Sequence, residues 1–174
     1  QGVHRIQSLL AKEVLNIPEA LLRVITPDVG GGFGVKLWLY PEHVLVLLAA
    51  KQFKRPVKWV ATRTESFLSD CHGRDAITSG EMALDKSGII LALRINNIAN
   101  LGAFPSYYAP FIPTAGGTRV LSGPYQIESI HMQVKGVYTN CAPVDAYRGA
   151  GRPENVFVVQ RLLYSAAREL GIEI

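Results

Sequence analysis

The most regular pattern of apolar and polar residues lies near the C-terminal end of the chain. In the segment RPENVFVVQRLLYSAARELG, apolar residues recur at helical spacing and form one stripe: Val156, Val159, Leu162, Leu163, Ala166 and Leu170. Pro153 and Glu154 suit the first turn of a helix. Gly171 suits the position directly after its end. The pattern therefore predicts an amphipathic helix over 152–171.

Two further helices are predicted in the first third of the chain. Apolar residues recur at spacings of three to five between Ile6 and Leu15, which predicts an amphipathic helix that ends near Asn16. The segment EHVLVLLAAKQF, residues 42–53, is apolar on nearly all sides, with Pro41 at its start. A helix that is apolar all round is normally buried, so this one is predicted to lie in the core.

Alternation of apolar and polar residues predicts five strands. Two of them, LLRVIT at 21–26 and RPVKWVATR at 55–63, lie before and after the second helix. Two more, at 76–85 and 89–104, flank a KSG turn and predict a β-hairpin. The fifth is predicted within 127–139. Because strands and helices mix without a regular β-α-β rhythm, the predicted fold class is α+β.

The composition is that of a folded domain, since 48% of the 174 residues are hydrophobic and 18% are charged. The length predicts one domain or a piece of a larger protein. A formal charge of +4 suits an anionic ligand, but the 18 lysines and arginines form no dense run. A nucleic-acid partner therefore has little support. No apolar run reaches membrane-spanning length, so no membrane association is expected.

The cysteines and the first residues bear on the cellular context. Cys71 and Cys141 lie far apart with no metal-ligand spacing around them, which argues against a disulfide framework or a zinc site and favours a reducing compartment. The chain begins without an initiator methionine or a signal-peptide core, so we interpret it as a segment of a larger protein. The cytoplasm is the expected location, and the periplasm is the alternative.

A glycine-rich segment, DVGGGFGVK, follows the first predicted strand at residues 28–36 and is called the glycine loop here. It does not fit the phosphate-binding Walker loop, because Val35 separates Gly34 from Lys36 and a leucine stands where a hydroxyl residue is required. It also fails the dinucleotide-binding fingerprint at Val35. Four glycines around Phe33 favour a ligand-facing loop over a purely structural turn, which would use glycine for close packing.

A second candidate site is AYRGAGRPE, residues 146–154, called the arginine loop here. Arg148 and Arg152 flank a glycine turn that leads into the last helix. Helix N-termini and guanidinium groups both favour anions, so an anionic group could bind there. The alternative is structural: Arg148 would pair with a carboxylate such as Asp145 while Arg152 faces solvent. The spacing leaves both interpretations open.

Together, these motifs give the chain a resemblance to a known family. GGGFGVK, RPVKWVATRTESF, LGAF, GPY, VYTN and AYRGAGRPE occur in this order. The chain resembles the molybdenum hydroxylase family, and specifically the large, molybdopterin-binding subunit of xanthine dehydrogenase, aldehyde oxidoreductase and carbon monoxide dehydrogenase type enzymes. The resemblance covers essentially all 174 residues. It implies that residues 1–174 are a single, partial molybdopterin-binding domain with a mixed sheet and packed helices.

The resemblance implies which residues contact the molybdenum cofactor. Phe33, with Gly32 and Gly34, would lie against the molybdenum centre, the glycines allowing the backbone to approach. Arg148 and Gly149 match the family's arginine beside the cofactor and the residue that follows it. Gln1 matches a glutamine near the metal if one extra residue is allowed in the NIPEALL region.

Three departures from the family pattern narrow the substrate. Purine-oxidising members have a glutamate where this chain has Leu37, and an aromatic residue where it has Ala150. Copper-dependent carbon monoxide dehydrogenases have a cysteine where this chain has Gly149. The form that remains, AYRGAGR, belongs to members that oxidise aldehydes or N-heterocycles, or that are uncharacterised.

The resemblance also implies what this chain lacks. The family's catalytic glutamate lies in a later segment, so no residue here is predicted to be catalytic or to ligate a metal directly, and the segment alone is expected to be inactive. The cofactor would be molybdopterin, with the cytosine dinucleotide form as one variant. Iron–sulfur and FAD groups would lie on partner domains or subunits. The remainder of the large subunit would be a further partner. A non-catalytic module that binds an anionic ligand or nucleic acid is the alternative function.

Overall fold

The computed structural model describes residues 2–172, and its backbone falls into a first unit, Gln1–Asp70, and a second unit, Cys71–Ile174. The first unit begins with the predicted helix. Helix α1 (Val3–Leu9) continues into a π-helical turn, Leu10–Leu15. Asn16 ends this turn with a left-handed backbone (φ 51°), a common way for a helix to terminate.

The second predicted helix forms, but it is not buried. Helix α2 (Pro41–Phe53) begins with the expected proline and ends at Lys54 in a left-handed conformation. None of its residues is buried, and Leu45 is 64% exposed. The prediction that this helix lies in the core was therefore wrong. A helix that is apolar on all sides is expected to pack against other protein surfaces, but its sequence does not show that those surfaces belong to the same unit.

The two strands predicted beside α2 were wrong, since the structure assigns no strand within residues 2–70. The first segment begins with a short 3-10 turn, Glu19–Leu21, and then runs without regular structure to α2. The second runs without regular structure into helix α3 (Arg63–Ser69). Alternation describes a surface that suits a sheet, but a strand forms only where a partner supplies its hydrogen bonds.

Helix α3 was missed, although its sequence carries a start signal. The Glu65 amide donates to Thr62 Oγ1 at 3.2 Å, and the Thr62 amide donates to Glu65 Oε2 at 2.7 Å. This reciprocal pair is a capping box, which satisfies backbone donors that the first helical turn leaves unpaired. The spacing Thr-x-x-Glu could have predicted the helix.

The second unit contains a three-stranded mixed sheet, in the order β1-β2-β3. The strands are β1 (Ala76–Leu84), β2 (Ile90–Asn100) and β3 (Ser129–Val137). The predicted hairpin is confirmed: β1 and β2 pair antiparallel, and Asp85 Oδ1 accepts from the Ser87 amide at 2.9 Å in the turn. Strand β3 then adds to β2 in parallel.

Helix α4 (Arg152–Leu170) packs on this sheet and completes the α+β class that the sequence predicted. The core contains Leu93 and Ile95 from β2, Leu121 from a connecting segment and Val159 from α4. A Cβ atom at Gly80 would lie 2.9 Å from Leu162 Cδ1, so this glycine allows close approach of helix and strand.

The helix boundaries and the left-handed cap at Gly171 match the prediction, whereas the buried face is rotated from the predicted stripe. Val156 and Leu170 are exposed, and Val158 packs against the core instead. Among the described residues, no helix has the length and apolar character needed to cross a membrane.

Candidate functional site

The glycine loop forms a tight turn in the first unit. The Lys36 amide donates to the Gly32 carbonyl at 3.1 Å, and the Leu37 amide donates to the Gly34 carbonyl at 2.9 Å. Gly34 has a φ of 102°, a conformation that residues with a side chain rarely adopt. Two glycines therefore serve the turn itself.

Phe33 is the unusual residue of this loop, because its backbone is left-handed (φ 50°). This conformation costs roughly 1–3 kcal/mol for a residue that is not glycine. A Cβ at Gly31 would lie 2.6 Å from Phe33 Cε2, so Gly31 leaves room for the ring. The ring is nevertheless 49% exposed. The loop thus presents an aromatic surface in a backbone conformation that is costly to maintain.

A groove of about 420 Å³ in the first unit is lined in part by the end of the glycine loop. Val35 and Lys36 line it together with Tyr40, His43 and Trp59. Partial desolvation lowers the pKa of His43 below its ordinary value, although the residue remains partly open to solvent, and the nearby Glu42 carboxylate opposes this shift. The groove combines aromatic walls with a lysine, which suits a flat or anionic group.

The arginine loop in the second unit contains three consecutive left-handed residues. Gly149, Ala150 and Gly151 have φ values of 105°, 49° and 89°. A Cβ at Gly151 would lie 2.2 Å from the Ile112 carbonyl oxygen, so no larger residue fits there without movement. Ala150 is the second costly backbone position in a predicted site loop.

The buried carboxylate before this loop anchors it to the body of the unit. Asp145 is 2% exposed, and its oxygens accept from the Tyr108 amide at 3.0 Å and from the Ala146 amide at 2.5 Å. Arg152 Nη1 donates back to the Gly149 carbonyl at 3.1 Å. The start of the loop is therefore held by hydrogen bonds from backbone amides to the buried Asp145 side chain, and the Gly149 carbonyl is held by Arg152, the first residue of α4.

The structure reveals one further arginine against this loop that the sequence analysis did not single out. The guanidinium of Arg74 lies 4.5 Å from the centroid of the Tyr147 ring, and its Nη2 donates to the Arg148 carbonyl. Its Nε lies 3.5 Å from Glu154 Oε1. No motif around Arg74 indicates these contacts, because they join segments that lie far apart along the chain.

The structure places the predicted site residues that it describes in two separate loops. Gly32, Phe33 and Gly34 form the glycine turn of the first unit, while Arg148 and Gly149 form part of the arginine loop of the second. Gln1 lies outside the described residues.

The donors of the arginine loop fit an anionic cofactor. Arg148 and Arg152 are exposed beside the N-terminus of α4, a helix of 19 residues. Helix N-termini and guanidinium groups both stabilise phosphate and oxo groups. Within residues 2–172, no cluster of three or more His, Cys, Asp or Glu side chains could hold a metal ion.

Comparison with known proteins identifies the family. The family model described as molybdopterin cofactor-binding domain matches residues 1–174. The carbon monoxide dehydrogenase large chain of Hydrogenophaga pseudoflava is 38% identical over 175 residues, which cover 99% of this chain and 22% of that protein. The 6-hydroxypseudooxynicotine dehydrogenase complex subunit gamma of Paenarthrobacter nicotinovorans is 36% identical over 172 residues, which cover 98% of this chain and 21% of that protein.

A solved structure agrees with these sequence relatives. Quinoline 2-oxidoreductase from Pseudomonas putida 86 superposes with a TM-score of 0.92 at 34% identity, covering 99% of this chain and 22% of that chain. The chain thus spans about a fifth of the length of each protein compared. The match over the whole chain confirms the resemblance found in the motifs: this protein belongs to the molybdopterin cofactor-binding domain family of the molybdenum hydroxylases.

Proposed function

We propose that this chain is the cofactor-binding part of a molybdenum-dependent oxidoreductase that hydroxylates an aldehyde or an N-heterocycle. The observation that carries the proposal is the match of residues 1–174 to the molybdopterin cofactor-binding domain family. When bound, the molybdenum cofactor would supply the redox centre at which the substrate gains an oxygen atom derived from water. The protein residues would bind and orient the cofactor.

Five described residues are assigned to cofactor contact: Gly32, Phe33, Gly34, Arg148 and Gly149. The left-handed backbone at Phe33 supports this assignment for the glycine loop, because costly conformations persist mainly where function requires them. The exposed Arg148 beside the start of α4 supports it for the arginine loop, where negative charge is favoured. Gln1 is a further proposed contact.

The proposed substrate class follows from three positions. Leu37 and Ala150 stand where purine-oxidising members have a glutamate and an aromatic residue, so a purine would lack its partners. Gly149 offers no sulfur to hold copper, which argues against carbon monoxide as the substrate despite the similarity to a carbon monoxide dehydrogenase. The relative named quinoline 2-oxidoreductase is consistent with an N-heterocycle.

The remaining machinery is proposed to lie outside these residues. Residues 1–174 would form one partial domain of a larger subunit. This agrees with the family match and with the fact that the chain spans about a fifth of the length of its relatives. The rest of that subunit would supply the catalytic glutamate, so this segment alone would be inactive. Electrons would leave to iron–sulfur and FAD partners, and the pterin would be molybdopterin or its cytosine dinucleotide form. Cys71 and Cys141 are both unbridged, which is consistent with the cytoplasm.

Substitution of Arg148 tests the proposal. In the full subunit with its partners, Arg148→Ala should lower kcat/KM by roughly 100-fold or more, because a preorganised donor beside the redox centre is lost. Molybdenum and pterin content, measured on the same sample, separates loss of cofactor from slower turnover. The matched control is Arg94→Ala, since Arg94 forms an exposed ion pair with Glu81 in the same unit. Near-normal turnover of Arg148→Ala would contradict the assignment.

The alternative of a non-catalytic module for an anionic ligand or nucleic acid gains no support from the relatives, whose names describe oxidoreductases. Oligonucleotide binding of the 174-residue chain tests it directly. A binding constant that falls steeply between low and physiological salt would favour this alternative, because each phosphate contact releases counterions.

A further inference from the structure

Residues 72–74 run alongside the segment that leads into the arginine loop. The His72 amide donates to the Pro143 carbonyl at 2.8 Å, and the Asp145 amide donates to the His72 carbonyl at 2.8 Å. His72 and Val144 form an isolated parallel β-bridge. The two segments are therefore joined by a short ladder just before the loop begins.

Beyond this ladder, the chain takes an uncommon conformation that brings Arg74 against the loop. Arg74 has a φ of 52°, which is unfavourable for an arginine. A Cβ at Gly73 would lie 2.5 Å from Tyr147 Cβ, so only glycine allows the two segments to approach this closely. Arg74, Phe33 and Ala150 share left-handed backbone without terminating a helix, unlike Asn16 and Lys54.

The Arg74 side chain contacts the arginine loop on both sides of its left-handed turn. Before the turn, the guanidinium stacks 4.5 Å from the Tyr147 ring centroid and donates to the Arg148 carbonyl. After the turn, its Nε lies 3.5 Å from Glu154 Oε1 in the first turn of α4. The planar guanidinium can make a stacking contact and several in-plane hydrogen bonds at the same time, which a lysine cannot do.

The ion pair alone does not account for this arrangement. The Arg74 and Glu154 side chains are 32% and 28% exposed, and partly exposed pairs contribute little net stability. The contact to the Arg148 carbonyl is different, because it fixes the backbone from which the Arg148 side chain extends. Among the residues that follow, Ala150 has a left-handed backbone that is costly for a non-glycine residue and persists where surrounding contacts hold it.

From these contacts we infer that Arg74 is a positioning residue, which keeps the arginine loop in the shape that presents Arg148 to the cofactor. The inference rests on the proposed function of that loop. Arg74 would act only through its contacts to Tyr147, Arg148 and Glu154, and not by touching the cofactor.

Hydrogen exchange in the full subunit, freed of cofactor, tests the inference without reference to activity. In Arg74→Ala, the amides of residues 146–151 should exchange at least tenfold faster than in the unchanged protein, while β2 stays protected. Arg74→Lys should be intermediate, because it retains charge beside Glu154 but loses the planar contacts. Arg94→Ala, which removes an exposed arginine from β2, should leave the loop unchanged. Unaltered exchange at 146–151 in both Arg74 variants would overturn the inference.

Measurements on the loaded enzyme separate this inference from the proposed function. Arg74→Ala should lower kcat by roughly tenfold to a hundredfold, as expected when a catalytic arrangement is displaced by about 1 Å. Millimolar guanidinium should restore part of the lost activity, since it can replace the missing group, and a purely structural defect would show no rescue.

The two variants together distinguish the two proposals. If Arg74→Ala speeds exchange in the arginine loop but Arg148→Ala turns over normally, the positioning role of Arg74 stands and the proposed role of Arg148 fails. If Arg148→Ala turns over slowly while Arg74→Ala matches the wild-type protein in both turnover and hydrogen exchange, the inference that Arg74 positions the loop fails.

Discussion

The two units of this chain differ in how they bury apolar surface. The second unit has its own sheet, and β2 places Leu93 and Ile95 almost fully out of solvent against α4. In the first unit, helix α2 has no buried residue, and several large apolar side chains are exposed: Leu21, Ile25, Leu45, Phe53, Trp59, Phe67 and Leu68. The second unit also exposes large apolar side chains, such as Ile77 and Phe157, so the difference lies in the packed core that its sheet forms with α4.

The two candidate loops repeat this difference on a smaller scale. Both hold a non-glycine residue in a left-handed conformation, Phe33 in one and Ala150 in the other. The glycine loop is closed by its own backbone hydrogen bonds. The arginine loop is also held from outside, by Arg74 and by the buried Asp145. The conformation of the arginine loop should therefore be more sensitive than that of the glycine loop to substitutions elsewhere in its own unit.

Core truncation gives the largest expected contrast between the units. Ile95→Ala should lower the free energy of unfolding by about 2–5 kcal/mol, because Ile95 is fully buried and the change leaves a cavity. Leu45→Ala in α2 should change it by less than about 0.5 kcal/mol, since that side chain is mostly exposed. Urea denaturation of the 174-residue chain compares the two. Equal losses would mean that α2 is better covered than its exposure indicates.

A glycine in each loop gives the next contrast. Gly151→Ala should cost about 1–3 kcal/mol, because it combines left-handed backbone with a clash against the Ile112 carbonyl. Gly30→Ala in the glycine loop should cost less than about 0.5 kcal/mol, since a Cβ there meets no atom within 4 Å. The same denaturation experiment measures both. A stable Gly151→Ala variant would show that the arginine loop can relax.

Replacing alanine by glycine should have opposite effects at two positions of the second unit. Ala150→Gly keeps the left-handed conformation but removes its steric cost, and it should stabilise the chain by up to about 1 kcal/mol. Ala99→Gly, near the end of the central strand β2, should destabilise the chain by about 1 kcal/mol, because glycine has more freedom in the unfolded chain and a buried methyl group is lost. Thermal unfolding gives the sign of each. Destabilisation by Ala150→Gly would argue against strain at that position.

The smallest expected effect is a pH dependence in the first unit. Partial desolvation lowers the pKa of His43 in the folded state, so the unfolded chain takes up a proton first as the pH falls. The free energy of unfolding should therefore decrease as the pH falls from about 6.5 to the folded pKa, and level off below it. Denaturation at several pH values should show this, and His43→Gln should remove it. An unchanged profile in His43→Gln would assign the effect to another group.

Local patterns predicted much of the fold and singled out the two candidate loops. The capped ends of α4, the KSG hairpin and the glycine-rich character of both loops are properties of a few adjacent residues, and the structure agrees with them. The predicted strands at 21–26 and 55–63 failed, because the alternation of their side chains specifies a face and not a partner. The predicted burial of α2 failed for the same reason.

The residues by themselves determined the helices, the hairpin and the order of motifs that identifies the family, since periodicity, turn chemistry and motif spacing are all encoded along the chain. Only the tertiary structure decided that Phe33 and Ala150 adopt left-handed backbone, that β3 pairs with β2 in parallel, and that Arg74 donates to the Arg148 carbonyl across 74 positions. These features depend on groups that meet only after folding. A contact between distant segments is selected by packing and hydrogen bonding in space, which no short stretch of sequence specifies.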